Sequence, residues 1–239
     1  MADNRKQKME NPSSLKLRRT GTTVFFALAG VFFCGGCGIV GLMGTPTRYE
    51  EKIPAEYDLA AQKGKKVLVL VERPGGPLDA QANLRFYLTK TISENLIAKA
   101  KIPPEYIISY KELSEFRSGR SDFSLLSATA VGKALGADIV LLVMVEDYQL
   151  SEIAEMTNYY NGLLKVQIAI IETAGGGQVW PGTEMGKSIQ VGFEMEKDRE
   201  TAVYRLVSAC AHCTTRYFYN CPRYKFKIAD EGSRAGWEE

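Results

Sequence analysis

The sequence predicts a mixed α/β fold (α+β in arrangement): a single mixed β-sheet of about five to six strands flanked by helices, preceded by an N-terminal hydrophobic signal or anchor helix. Three observations carry this. Thr22–Gly44 runs 23 residues without a charge, and a bilayer core takes about 20 helical residues. Val67–Val71 and Ile139–Val145 are unbroken apolar runs, the mark of strands buried on both faces. Elsewhere apolar residues recur at helical spacing or alternate with polar ones, so helices and strands with one wetter face share the chain.

The first 23 residues hold Arg5, Lys6, Lys8, Lys16, Arg18 and Arg19 against Asp3 and Glu10. Positive flanks stay cytoplasmic, which predicts the rest of the chain on the far side of a membrane. The apolar segment, 24–44, has three readings. In the first, Cys34-Gly35-Gly36-Cys37 is a lipoprotein signal: small residues precede a cysteine that becomes acylated, and the lipidation residue is Cys37. Phe33 is too bulky to precede a modified Cys34. The core Val24–Gly36 has 13 residues, within a secretory range of about 7–15 and short for a span. In the second, Val24 to about Gly44 is an uncleaved transmembrane helix, weakened by glycines 30, 35, 36, 38, 41 and 44. In the third, the signal is cleaved and a soluble domain remains. Arg18-Arg19 lacks the continuation of a twin-arginine signal.

Residues 45–64 read either as a tether or as a segment packed on the domain through Tyr49 and Tyr57. The domain proper spans 65–222. Strand Val67–Val71 ends at Arg73-Pro74-Gly75-Gly76-Pro77. Asp79 can cap a helix reaching about Ala100, with Leu84, Leu88, Ile92 and Leu96 as its buried stripe. Pro103-Pro104 stops it, and Tyr106–Tyr110 reads as a second strand. A short helix, Lys111–Arg117, follows. Ser127 caps Ala128–Leu135, and Gly136 closes that helix. The strand Asp138–Tyr148 is central. Leu164, Val166, Ile168 and Ile170 alternate with polar or small residues, as do Val191, Phe193 and Met195, so both segments are antiparallel strands. Arg199–Tyr219 is a final helix burying Val203, Leu206, Val207, Cys210 and Tyr217. The tail 223–239 is polar.

At this point the chain resembles a known pattern. Val67–Val71 before a long helix, Leu135-Gly136-Ala137-Asp138-Ile139-Val140 leading a strand, and Ile170–Trp180 (IIETAGGGQVW) are similar to the curli-secretion lipoprotein family. They also look like the amino-terminal domain of the Tol-system periplasmic protein. Glu172 and Ala174 depart from the Asp and Thr usual there. Along its length the chain also resembles uncharacterised envelope lipoproteins. The resemblance implies a domain that builds or braces envelope assemblies; no segment matches the barrel-forming part of the curli channel.

Charge narrows the partners. Six of the 30 basic and two of the 28 acidic residues precede Val24, which leaves the remainder at net −2. Without a basic stripe, nucleic acid is excluded as partner. The expected partners are membrane lipid and a protein or second copy in the envelope.

No catalytic or cofactor-binding residue is assigned, no cofactor is expected, and the chain reads as a non-enzyme. Gly175-Gly176-Gly177 leads to a strand rather than a helix, so it is a hairpin turn and not a phosphate loop. Glu146 and Asp147 are neighbours on a strand and point to opposite faces. Glu152, Glu155 and Glu194 read as solvated. Asn158–Gly162 reads as a hairpin loop or an exposed aromatic contact surface. No metal site is assigned; the weak candidates are Cys210, His212, Cys213 and Cys221. At helical pitch His212 points away from Cys210 and Cys213, so one helix cannot gather them around an ion. The cysteines read as buried core thiols, as one disulfide through Cys221, or as a redox or metal site. The leading function is an extracytoplasmic, membrane-tethered binding or assembly module. The alternative is an envelope protein with redox or metal chemistry at residues 210–221.

Overall fold

Five strands form one mixed sheet in the computed structural model, which describes residues 51–74, 83–153, 159–183, 185–196 and 198–227. In chain order the elements are β1 (Lys52–Ile53), β2 (Val67–Glu72), α1 (Leu84–Ala98), α2 (Tyr110–Ser118), α3 (Ala128–Ala134), β3 (Ile139–Glu152), β4 (Tyr159–Glu172), β5 (Gln178–Trp180), β6 (Lys187–Glu196), α4 (Arg199–Thr215), β7 (Cys221–Pro222) and α5 (Arg223–Lys227). β2 lies parallel to β3, and β3 antiparallel to β4. The far edge of β4 is shared: Tyr159–Ile168 pairs with β6, and Ile170–Ile171 with β5. β1 and β7 form a separate antiparallel pair, Lys52 opposite Pro222.

The sheet buries both faces around β2 and β3, as their unbroken apolar runs require. Val67, Val69, Val71, Ile139, Leu141, Val143 and Val145 face α1 and α4, together with Leu164, Val166, Ile168 and Ile170 of β4. Leu68, Leu70 and Val140 face the other way, onto Leu113 of α2 and Val131 of α3. The stripe Leu84, Leu88, Ile92 and Leu96 is fully buried, as its spacing predicts. β3 holds the centre of the sheet.

The α3–β3 corner is a Schellman closure. Ala137 N–H donates to Gly132 O at 2.9 Å and Gly136 N–H to Lys133 O at 3.2 Å, with Gly136 at φ +66°. Ser127 caps the start of α3, its hydroxyl accepting from Ala130 N–H at 3.2 Å.

Several sequence expectations need correction. Tyr106–Tyr110 is not a strand. Pro104–Tyr106 is a 3-10 turn, only Ile107 bridges Val67, and Ser109 caps α2 by accepting from Glu112 N–H at 3.2 Å. Ser109 and Glu112 stand at capping-box spacing, a helix signal that outweighs the local β propensity of Tyr106–Ile108. α1 starts at Leu84, because Asn83 at φ +57° breaks the helix there; Asp79 lies outside the described residues. α4 ends at Thr215 and tightens into a 3-10 turn over Arg216–Phe218. Tyr159–Gly162 is strand rather than loop: it continues β4, paired with β3 and β6. Residues 51–64 follow the packed reading in place of a free tether. Leu59 is buried, Tyr57 packs on the core, and the 56–57 amides donate to Tyr217 O at 2.9 and 3.2 Å. Tyr49, the segment 1–44 with Cys37, Glu155, Asn158 and residues 228–239 lie outside the described residues.

Gly132 sets the α3–β3 distance. A Cβ there would stand 2.5 Å from Val140 Cγ2 and 2.6 Å from Thr173 Cγ2. Val140 is fully buried, and Thr173 is held by its hydroxyl, which donates to Ala137 O at 2.8 Å. Neither can yield cheaply. We expect Gly132→Ala to destabilise the domain by about 1–3 kcal/mol despite its better helix propensity. A lower urea midpoint at unchanged slope would report it; an unchanged midpoint would refute this account of the corner.

Candidate functional site

Sequence reasoning put its chemistry-bearing residues at the carboxy end of α4. Asp198 starts that helix, its carboxylate accepting from Thr201 N–H at 2.9 Å and Thr201 Oγ1–H at 2.7 Å. These bonds hold its carboxyl below the usual range. Beyond Ser208 the amphipathic pattern ends: every residue from Ala209 to Phe218 is buried. α1 and the sheet take one side of the helix. The stretch 221–227 lies against the other, with Phe226 packed on the same core and Lys225 O bonded to His212.

This double cover buries His212 as well, on the face of the helix turned towards 221–227. The imidazole is 8% exposed. Its Nε2 lies 3.0 Å from Lys225 O, and its Nδ1 3.4 Å from Lys99 Nζ. A carbonyl can only accept, so Nε2 carries the hydrogen and Nδ1 offers its lone pair to the ammonium. Burial first, then the surrounding Lys99, Arg216 and Lys225 charges, push the imidazole down to about 4. Both ring nitrogens are occupied.

The thiols share this interior. Cys210, Cys213 and Cys221 are buried and no disulfide joins them. Burial pushes the Cys210 and Cys221 thiols above their ordinary values, the direction opposite to an activated thiolate. Lys99 lies close enough to Cys213 and Cys221 to feel them, yet burial and Lys225 lower its own ammonium. Among the described residues, no three His, Cys, Asp or Glu side chains converge as a metal site would require.

Next to this cluster an aromatic and cationic clamp closes the domain. The Trp180 ring packs on Phe218 (5.1 Å between centroids) and Tyr217 (5.7 Å), and Tyr217 on Phe226 (5.6 Å). Lys187 Nζ stands 4.0 Å from the Tyr217 centroid and donates to Glu56 Oε1 at 2.6 Å. Trp180 Nε1–H donates to Glu56 Oε2 at 3.3 Å. Arg216 is 1% exposed, stacked over Tyr217 and Phe226, with Nη1 donating to Phe226 O at 2.6 Å and Nη2 to Tyr217 Oη at 2.8 Å. The clamp fastens 51–57 and 220–227 to one end of the sheet. Ala55 N–H donates to Asn220 Oδ1 at 3.2 Å and Arg223 N–H to Glu51 O at 2.8 Å. The sequence reading missed the clamp, since its partners lie far apart along the chain. A buried Arg beside three aromatics at 216–219 was the available signal.

The motif residues behind the resemblance have structural occupations. Asp138 Oδ2 accepts from Lys66 N–H at 2.8 Å, and Thr173 N–H donates to Asp138 O at 3.0 Å. Glu172 takes the Lys65 ammonium at 2.9 Å. The triglycine turn lies in the β4–β5 hairpin, with Gly176 at φ +69° and its N–H donating to Glu172 O at 2.9 Å. Glu146 sits at a bulge that interrupts strict alternation along β3. It pairs with Lys165 at 2.8 Å while Asp147 accepts from Gln149 at 2.8 Å, so the two acids are separately engaged.

No family model matches the chain, and no curated protein matches it. Among solved structures, it is similar to the lipoprotein GNA1162 from Neisseria meningitidis at 18% identity and TM-score 0.38, over 61% of this chain and 94% of that one. It is also similar to the PelC dodecamer from Paraburkholderia phytofirmans, at 11% identity and TM-score 0.39, over 70% and 96%. The LpoB C-terminal domain from Salmonella enterica gives 18% identity and TM-score 0.30, over 66% and 93%. At these TM-scores the likenesses carry no inference about activity or assembly.

The His212 environment makes stability pH-dependent. Its folded pKa, about 4, lies below an unfolded value of about 6.5. The unfolded chain therefore binds the extra proton first. Stability attributable to the neutral ring is complete above pH 6.5 and is lost as pH falls towards 4, by about 3 kcal/mol at most. We expect the His212 ring resonances to titrate near pH 4 in the folded chain. We also expect His212→Gln to flatten the stability slope between pH 4 and 6.5. A ring titrating near 6.5 would refute the tautomer and burial assigned here.

Proposed function

We propose that this chain is a non-catalytic binding or assembly module held at a cell-envelope membrane on its extracytoplasmic side. One observation carries the reading: an uncharged 23-residue segment follows six basic residues and precedes a folded α/β domain. Among the described residues no helix is long and apolar enough to cross a membrane, and the apolar segment lies outside them. The lipoprotein version, with acyl chains on Cys37, gives permanent attachment, since stable anchoring needs at least two chains. The resemblance to the curli-secretion and Tol-system domains supports an assembly role. In those terms the 135–138 and 172–173 motif supplies the domain's stitching.

The thiol chemistry at 210–221 favours this reading over a redox or metal role. Buried neutral thiols and an imidazole with both nitrogens engaged suit a packed interior better than a reactive centre. Iodoacetamide should leave Cys210, Cys213 and Cys221 unmodified in the folded chain and alkylate all three in denaturant. Rapid modification of Cys210 or Cys221 under native conditions, or a metal copurifying at one ion per chain, would restore the redox or metal role.

The intact mass of the membrane-extracted protein tests the anchor. A chain beginning at Cys37 and carrying diacylglycerol is the expected product. An unmodified chain recovered from the soluble fraction would overturn the membrane-tethered function, and a full-length membrane-bound chain would replace the lipid with a transmembrane helix.

A further inference from the structure

We propose that the outer edge of β6 is a homodimer interface. A second copy of this chain lays its own β6 antiparallel against it around Val191, joining two five-stranded sheets into one. The proposal names a partner for the assembly reading above, on which its cellular setting rests.

The two edges of the sheet differ. The β2 edge is closed: Ile107 bridges Val67, Ile108 N–H donates to Val67 O at 2.9 Å, and Arg85 Nε–H donates to Val71 O at 3.3 Å. β6 pairs with β4 along all 10 of its residues in unbroken register. Among the described residues no strand pairs with its other side. Backbone N–H and C=O groups along such an edge are a template for a further strand. The usual protections are missing from it. β6 has no proline and no bulge, and no charge from Ser188 to Phe193. The neighbouring surface is apolar as well: Val179 of β5, which shares the same side of β4, and Met185 just before β6 are 42% and 75% exposed.

Side-chain alternation makes this edge complementary to itself. Ile189 and Val191 are buried on the α4 face, and Phe193 packs half-buried on the same core. Ser188, Gln190 and Gly192 are exposed on the other face. Antiparallel pairing around Val191 keeps each row beside its like. Ile189 then stands opposite the partner's Phe193, and Val191 opposite the partner's Val191, cross-strand pairs that stabilise sheets. Such a contact is isologous, so one edge serves both copies. Charge sets the direction. β6 begins with Lys187 and carries Glu194 near its end. Antiparallel pairing sets Glu194 opposite the partner's Ser188, whereas in-register parallel pairing would oppose it to the partner's Glu194. Lys187 keeps its Glu56 bridge, so backbone bonds and the apolar row supply the affinity.

The test is sedimentation of the full chain in detergent, unsubstituted and as Ser188→Glu and Ser188→Lys, at low and high salt. Ser188 is exposed, so neither change disturbs the core. In the two-fold register a glutamate there repels the partner's Glu194 at two symmetric places, and a lysine attracts it at both. We expect a reversible dimer whose dissociation constant rises by about threefold or more with Ser188→Glu and falls by a similar factor with Ser188→Lys. Both shifts should shrink at high salt. Benzoylphenylalanine placed at Gln190, in a mixture of isotope-labelled and unlabelled chains, should photocrosslink to residues 187–196 of the other isotope. Weakening by both variants, or crosslinks from Gln190 only to other segments or other proteins, would overturn the pairing. A monomer with the anchored mass expected above would overturn it too and leave the binding-module reading standing. A soluble, unmodified chain that still dimerises by these criteria would remove the tether and keep the pairing.

Discussion

The structure depends on keeping the second half of α4 dry on every side. A helix against a sheet normally buries one stripe, and α4 does so up to Ser208. From Ala209 onward it is enclosed by α1 and the sheet on one side and by the 221–227 strap on the other. The strap is held at three points: β7 pairs β1, Lys225 O binds His212, and Phe226 O takes the Arg216 guanidinium. Arg216 compensates its own burial by stacking on two rings and donating to a carbonyl and a hydroxyl. Without the strap, the helix would present an imidazole, thiols and aromatic surface to water at once.

That enclosure sets the chemical environment of the residues that resemble a reactive constellation in sequence. Sequence proximity places Cys210, His212, Cys213 and Cys221 together, but chemistry follows desolvation. Burial favours the neutral thiol and the neutral imidazole, and nearby ammonium and guanidinium groups reinforce the second effect. An activated thiolate needs the opposite setting, partly exposed and electropositive. At Cys221 the positive charges of Arg216, Lys99 and Lys225 are present, but burial outweighs them; at Cys210 burial and the neighbouring Cys213 act together.

Much of the sheet was legible in the sequence, because unbroken apolar runs and strict alternation map directly onto burial. β2, β3, the stripe of α1 and the alternation in β4 and β6 follow from side-chain periodicity alone. Three features were not legible, for different reasons. Tyr106–Tyr110 has strand composition, but the capping pair Ser109 and Glu112 claims the backbone for a helix. Tyr159–Gly162 looked like a loop because polar and glycine residues interrupt the pattern. Yet Phe193 lies opposite Gly162 and covers it, at 2.9 Å from where a Cβ would stand, and an aromatic laid over a strand glycine restores the missing packing. The 51–57 and 221–227 segments have no periodicity, because their structure is imposed by contacts across more than 150 residues of chain. The burial of His212 was not legible for the same reason, since helical pitch cannot reveal a second cover.

The same long-range closure gives the domain a direction. The first described segment is also the one locked by the strap, so a force applied to the chain before β1 enters at β1 and is passed to β7, α4 and the sheet. Two-stranded pairing of two residues each could not bear this alone. The Glu56 bridge to Trp180 and Lys187 and the Tyr217 carbonyl at the 56–57 amides spread the load into the core. At the other end β3 and β4 continue as 14-residue strands that reach the acidic tip at Glu152. The closed β1–β7 base and the exposed tip at Glu152 are thus segregated to opposite ends of the long strands.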